Sequence, residues 1–179
     1  MNIFFVDRNP VIAAKSLCDQ HVVKMTLETA QILSTACVEL GVSSKISGLY
    51  KPTHKNHPSC VWARASLEHF NWLLAHGIAL GEEYTERFGK VHRSAQVFLE
   101  ILKSMPIVVT TGTFPTSGWV DPPIAVRDPL RATVTVRDGS GKIDVVASYR
   151  KYYRDHKRVF GVVRKRNAEW KQNKPFWVK

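Results

Sequence analysis

The sequence predicts a mainly α fold: a compact helical single domain with a minor β-hairpin. Three observations carry that expectation. Long stretches with helical spacing of apolar residues are bounded by proline at one end and glycine at the other. Only one short run, Thr133 to Val136, alternates as a strand does, and it leads into the turn Asp138-Gly139-Ser140-Gly141. A chain of 179 residues, 44% of them hydrophobic, has the size of one domain and can bury a sizeable core. No internal repeat is present.

Taken in order, Ile3 to Val6 reads as a short strand. Asn9-Pro10 reads as a helix N-cap followed by proline in the first turn. That helix is expected to run from Pro10 to about Leu40, with room for a break near Cys18, and to stop at Gly41. Residues 41–57 form a polar loop ending in Thr53-His54-Lys55-Asn56-His57. A second helix is expected from Pro58 to Phe88, closed by Gly89, and a third from His92 to Ser104, ended by Pro106. Five prolines (Pro106, Pro115, Pro122, Pro123, Pro129) make 106–130 an ordered loop or linker. After the hairpin, Asp144 caps a last helix reaching about Val163. The expected organisation is a helical core over 1–105, a Pro-rich loop and hairpin over 106–143, and a basic helix and tail over 144–179.

Charge narrows the partners. The chain has 26 Lys and Arg against 15 Asp and Glu, a net +11. Eleven of those cations, Arg150 and Arg154 among them, fall between Tyr149 and Lys179, opposed only by Asp155 and Glu169. Aromatic residues interleave the block, from Tyr149 to Trp177. Such clustering is the footprint of a polyanion partner, here nucleic acid, and no basic amphipathic face argues for a membrane surface. No apolar run is long enough to span a bilayer, and the first seven residues do not make a signal peptide. Three cysteines (Cys18, Cys37, Cys60) are too few and too odd for a disulfide framework and fit a reducing, cytoplasmic setting.

On a 100° wheel, His21, Lys24, Glu28 and Gln31 share a stripe roughly 80° wide on the first helix, with Val22, Val23, Ala30, Leu33, Cys37 and Leu40 spread over the opposite half. An imidazole, an ammonium, a carboxylate and an amide on one stripe could serve general acid–base catalysis. The same residues could equally be a solvated face with an ordinary Lys24–Glu28 pair. His54, Lys55, Asn56 and His57 suit contacts to DNA or substrate. His54, His57 and Cys60, with Cys18 and His21 elsewhere, raise a metal site, but no paired Cys-x-x-Cys motif supports one, and neither metal nor cofactor is expected. Arg64, Arg87 and Arg93 could bind phosphate or form surface ion pairs. Trp72 and Tyr84 could stack on a base or simply pack.

These residues resemble the pyrimidine-dimer DNA glycosylase/AP lyases of the phage endonuclease V type. The resemblance rests on Asp19-Gln20-His21 followed by Glu28 nine residues after the aspartate. It extends through His76, Leu80, Glu83, Arg87-Phe88-Gly89 and His92-Arg93-Ser94, with Phe-Gly where that family has Gly-aromatic. It covers roughly residues 1–95 and implies a phage-encoded enzyme that flips a pyrimidine nucleotide from duplex DNA. It further implies that the N-terminal amine attacks the sugar C1′ to give an imine, with Glu28 as acid/base and His21 in support. Asn2 is too bulky for efficient methionine removal, so the amine would be that of Met1. The arginines flanking the glutamate in that family are Leu27 and Gln31 here. Two alternatives stay open. One is a phage-type transferase that places an amino acid co-substrate on thymine, using Glu28, His21, Lys24 and the 53–57 loop. The other is a non-catalytic module in which the basic tail does the binding.

Overall fold

Asn9 opens the first helix as its residue type predicts: its side chain accepts hydrogen bonds from the Val11 and Ile12 amides, and Pro10 occupies the first turn. The computed structural model describes residues 1–156 and 168–178. Helix α1 spans Pro10–Lys15 and α2 spans Asp19–Glu39, separated by a buried break at 16–18. Gly41 lies beyond α2 at φ 77, a backbone region that glycine enters without strain.

The second predicted helix is also two. Helix α3 covers Pro58–Ala63, with His57 as N-cap, and α4 covers Leu67–Phe88, with Ser66 accepting from the His69 amide. Serine is a strong N-cap, so Ser66 starts a new helix where apolar spacing alone runs on. Gly89, at φ 68, closes α4 as expected. Helix α5 (Ala95–Lys103) starts three residues later than predicted. Pro106 does not end a helix but begins one: α6 is Met105–Thr111, with proline in its first turn.

Within the Pro-rich stretch, Leu130–Val134 forms a short helix, α7, where the alternation at Thr133 to Val136 suggested a strand. The hairpin itself is present: β1 (Val136–Arg137) pairs antiparallel with β2 (Ile143–Asp144) around the predicted turn, with Val136 opposite Asp144. Helix α8 is Val145–His156, its first turn capped by the Asp144 carboxylate accepting from the Ala147 amide. Its expected continuation to Val163 lies outside the described residues, as do Lys157, Arg158, Arg164, Lys165, Arg166 and Lys179 of the basic block.

Helix α4 is the centre of packing, in contact with α1, α2, α3 and α5. Ile3 to Val6 is not a strand. It bends back on itself, Phe5 N–H to the Ile3 carbonyl and Val6 N–H to the Phe4 carbonyl, both at 2.9 Å, and all four side chains are buried. The N-terminus is therefore threaded into the aromatic core. Phe4 stacks on His21 and meets Tyr149 and Tyr153 edge-on, while Phe5 packs on Trp72. The described tail, 168–178, returns across the molecule and places Trp170 and Trp177 against Tyr153. Among the described residues no helix is long and apolar enough to cross a membrane.

Candidate functional site

Because Ile3 to Val6 are held in the core, residues 1 and 2 emerge at a fixed point beside α2. Three nitrogens meet Glu28 there. The Met1 ammonium lies 4.0 Å from Oε2, the Asn2 amide donates to Oε2 at 3.2 Å, and Lys24 Nζ lies 3.3 Å from Oε1. The Glu28 side chain is 14% exposed, sheltered yet reachable. Asn2 is itself pinned, since its Oδ1 accepts from its neighbour Ile3 N at 2.8 Å and from Tyr149 Oη of α8 at 2.6 Å. The Met1 side chain is buried, with its sulfur 3.6 Å from Cys60 Sγ of α3.

His57 completes this corner. It caps α3 by accepting from the Ser59 amide through Nδ1 at 3.2 Å, which leaves Nε2 to carry the proton of the neutral ring. Burial lowers its pKa, and the nearby terminal ammonium lowers it further, against an opposing pull from Glu28. The imidazole thus feels both members of the amine–carboxylate pair, from one turn before the cysteine on which Met1 rests. Burial pushes the Cys60 thiol up to about 11, so the thiol stays protonated and inert.

Other sequence-predicted residues are placed elsewhere. His21 is 3% exposed, stacked on Phe4 and hydrogen-bonded through Nδ1 to Tyr153 Oη, not to Glu28. The wheel explains the correction. The exposed arc of α2 is centred on Lys24, Leu27 and Gln31 and includes Val23, expected in the core, while His21 lies just past its edge. Gln31 lies on that arc and is half-buried.

Asp19 and Arg87 also point inward. The Arg87 side chain is 0% exposed. It bonds Asp19 Oδ1 at 2.8 Å and Glu83 Oε1 at 2.6 Å, and it donates to the carbonyls of Leu17 and Lys15. From the tail, the Lys171 amide reaches Asp19, and Asn173 reaches Glu83. An arginine so enclosed is not a phosphate contact; it clamps the α1–α2 break, α4 and the tail together. Arg150 is likewise occupied, by the Val6 carbonyl and Asp7. Arg64 braces the 53–57 loop by donating to the Lys55 carbonyl at 2.6 Å, with Glu39 at 3.9 Å. His92 caps the turn into α5 through the Ser94 amide and meets Tyr84 edge-on. Burial lowers its pKa, opposed by a hydrogen bond to the Val23 backbone.

His54, Lys55, Asn56, Arg93 and Arg154 are exposed. His54, at φ 51, bonds the Thr53 hydroxyl at 2.6 Å. Among the described residues no three His, Cys, Asp or Glu side chains are grouped to hold a metal. Trp72 is core: its indole N–H donates to the Arg8 carbonyl and its ring stacks on His76. The parts of the corner not picked out in the sequence are the Asn2 pin, its Tyr149 partner and the link from His57 to the amine. All three depend on where the N-terminus is threaded, for which no local residue pattern exists.

A terminal amine held against a carboxylate can do what a lysine amine does in imine chemistry, with the carboxylate at hand to move protons. The pyrimidine dimer DNA glycosylase family matches residues 1–97, more than half of the chain, and the chain belongs to that family. It is accordingly a DNA-acting, glycosylase-type protein. No curated protein and no solved structure matches it.

Proposed function

We propose that the chain is a DNA glycosylase with AP-lyase character, acting on a pyrimidine nucleotide flipped out of duplex DNA, with the Met1 amine as nucleophile and Glu28 as general acid/base. The observation that carries this reading is the convergence of the Met1 ammonium and the Asn2 amide on Glu28 Oε2. In the reaction, Glu28 takes a proton from the ammonium and the freed amine attacks C1′ as the base leaves. By way of Glu28 the nitrogen gives up two protons, one to the departing base and one to O4′. The sugar ring opens to a protonated imine between C1′ and the Met1 nitrogen, and the carboxylate is free again. Glu28 then removes a proton from C2′, and the 3′-phosphate departs by elimination. Lys24 holds the carboxylate in place from solvent. Exposed Lys55, Asn56 and His54 are available to the phosphates flanking the extruded nucleotide.

Borohydride trapping on duplex DNA carrying an abasic site tests this. A covalent adduct that peptide mass spectrometry maps to Met1 is the expected result. No adduct, together with activity untouched by acetylating the N-terminus, overturns it.

A further inference from the structure

Away from Glu28, residues 119–121 meet the β1–β2 hairpin and Arg8 to enclose a cleft of about 540 Å³, within the range of ligand pockets. The Trp119 indole, 38% exposed, is part of its lining. The ring is held on several sides: edge-on to Trp62 at 5.6 Å and His69 at 5.4 Å, tilted over Phe5 at 5.9 Å, with its N–H donating to Asp121 Oδ1 at 2.8 Å. An indole held in this way, partly exposed and lining the cleft, can serve as a preformed stacking surface.

The charges around it are unequal. Arg8, Arg137 and Lys142 line the cleft with Asp121 as the one acid among its lining residues. Asp121 is already engaged by both Arg8 amino groups, at 3.0 and 3.1 Å, and by the indole. Arg137 donates to the Gly141 carbonyl at 2.7 Å, which fixes its guanidinium at the rim without neutralising it. Asp138 feels Lys142 but is turned into the hairpin loop, where it accepts from Ser140 and from the Lys142 amide. Neither Arg137 nor Lys142 has a carboxylate within ion-pair distance among the described residues. Except for Arg8, the residues that build the cleft lie beyond the family match, which ends at 97.

A partly exposed indole beside two cations without ion pairs fits a nucleotide with its base unstacked and its phosphate intact. A duplex would offer only phosphates here, because its bases are stacked inside and out of reach of a concave wall. We infer that this cleft is a second nucleic-acid site, taking one unpaired nucleotide of a single strand with its base on Trp119 and its phosphate on Arg137 and Lys142. The site is independent of the chemistry assigned to Glu28.

Binding of a short fluorescein-labelled oligothymidylate to the full chain, followed by anisotropy across a salt series, tests the inference. The paired substitution Arg137→Gln, Lys142→Gln lies at the surface and should leave the fold intact. It should flatten the slope of log affinity against log salt by about 0.7, the value for the one phosphate no longer neutralised. Trp119→Ala should weaken binding about tenfold and leave that slope unchanged. Trp119→Phe, which keeps an aromatic face, should recover most of the loss. Unchanged affinity and slope in the paired variant would overturn the site. So would equally tight binding of oligoglutamate, which carries charge but no base. The same variants should still form the borohydride adduct on abasic duplex DNA, so failure of the cleft and failure of the Glu28 reading give different results.

Discussion

Glu28 receives a backbone amide, a lysine and the chain's own ammonium on two oxygens, so its replacement separates charge from shape. Glu28→Gln keeps the volume and much of the hydrogen bonding but cannot accept a proton. The single-turnover rate of adduct formation should fall by about 10²–10⁴-fold while the dissociation constant for abasic duplex changes by less than about threefold; a rate within tenfold of wild type removes Glu28 from proton transfer. At Arg87 the expected consequence is structural. Arg87→Met leaves Asp19 and Glu83 buried without their cation, which costs about 3–5 kcal/mol in urea unfolding. A surface phosphate contact would cost almost nothing in that measurement and would instead weaken DNA binding. Asp19, Glu83 and Arg87 were all legible as a motif in the sequence. Their inward direction was not, because a charged residue type reads as exposed until its partners are known, and these partners come from helices some seventy residues apart and from the tail.

At the scale of elements, helix ends were legible wherever a side chain or a positive φ enforces them: Asn9, Gly41, Gly89 and the Asp144 cap all lie where the residue types place them. Breaks inside apolar runs were harder to read. The interruption at 64–66 keeps the hydrophobic spacing on both sides, and Ser66 reveals itself as a cap only once its Oγ is seen accepting from His69 N. Ser66→Ala should therefore lower stability by about 1 kcal/mol in chemical denaturation; no change would mean that the cap is dispensable. Helix α1 is fastened to α4 by His76, whose Nδ1–H donates to the Pro10 carbonyl at 3.0 Å. Burial lowers the His76 pKa to about 4 from an ordinary 6.5. Between those values the unfolded chain holds the extra proton and the folded one does not, so stability rises with pH. Lowering the pH from 6.5 to 4 should remove about 3 kcal/mol on account of this residue. His76→Gln, compared with wild type between pH 6.5 and 5, where carboxylates contribute least, should show a flatter dependence of the urea midpoint on pH. Parallel curves would mean that His76 titrates normally.

At the scale of the whole molecule, the family match ends at residue 97, yet the corner around Glu28 depends on a residue from the C-terminal half. Tyr149 of α8 is fully buried and ties three segments together: it accepts from the Ala125 amide at 3.0 Å and donates to Asn2 Oδ1 at 2.6 Å, with the Pro123 carbonyl at 3.1 Å. The basic C-terminal region thus contains, besides charge, a residue bonded directly to the start of the chain. That role was invisible in the sequence, where Tyr149 stood out only as one aromatic among cations. Tyr149→Phe removes the hydroxyl and leaves the Ala125 N–H and the Asn2 Oδ1 short of a partner, a loss of about 1–2 kcal/mol in stability. If the hydroxyl is only a structural bolt, melting temperature falls and chemistry does not change. If it positions the terminal amine, adduct formation slows about tenfold at saturating DNA while the dissociation constant stays constant, because the reacting nitrogen has lost its fixed approach to the carboxylate. Asn2→Ala should reproduce that split between rate and binding, since it cuts the same link from the other side. Two variants, one on α8 and one at the chain start, that slow the chemistry alike and leave binding alone would tie the C-terminal half to the reaction; a rate unchanged in both would confine the reacting corner to residues 1–97.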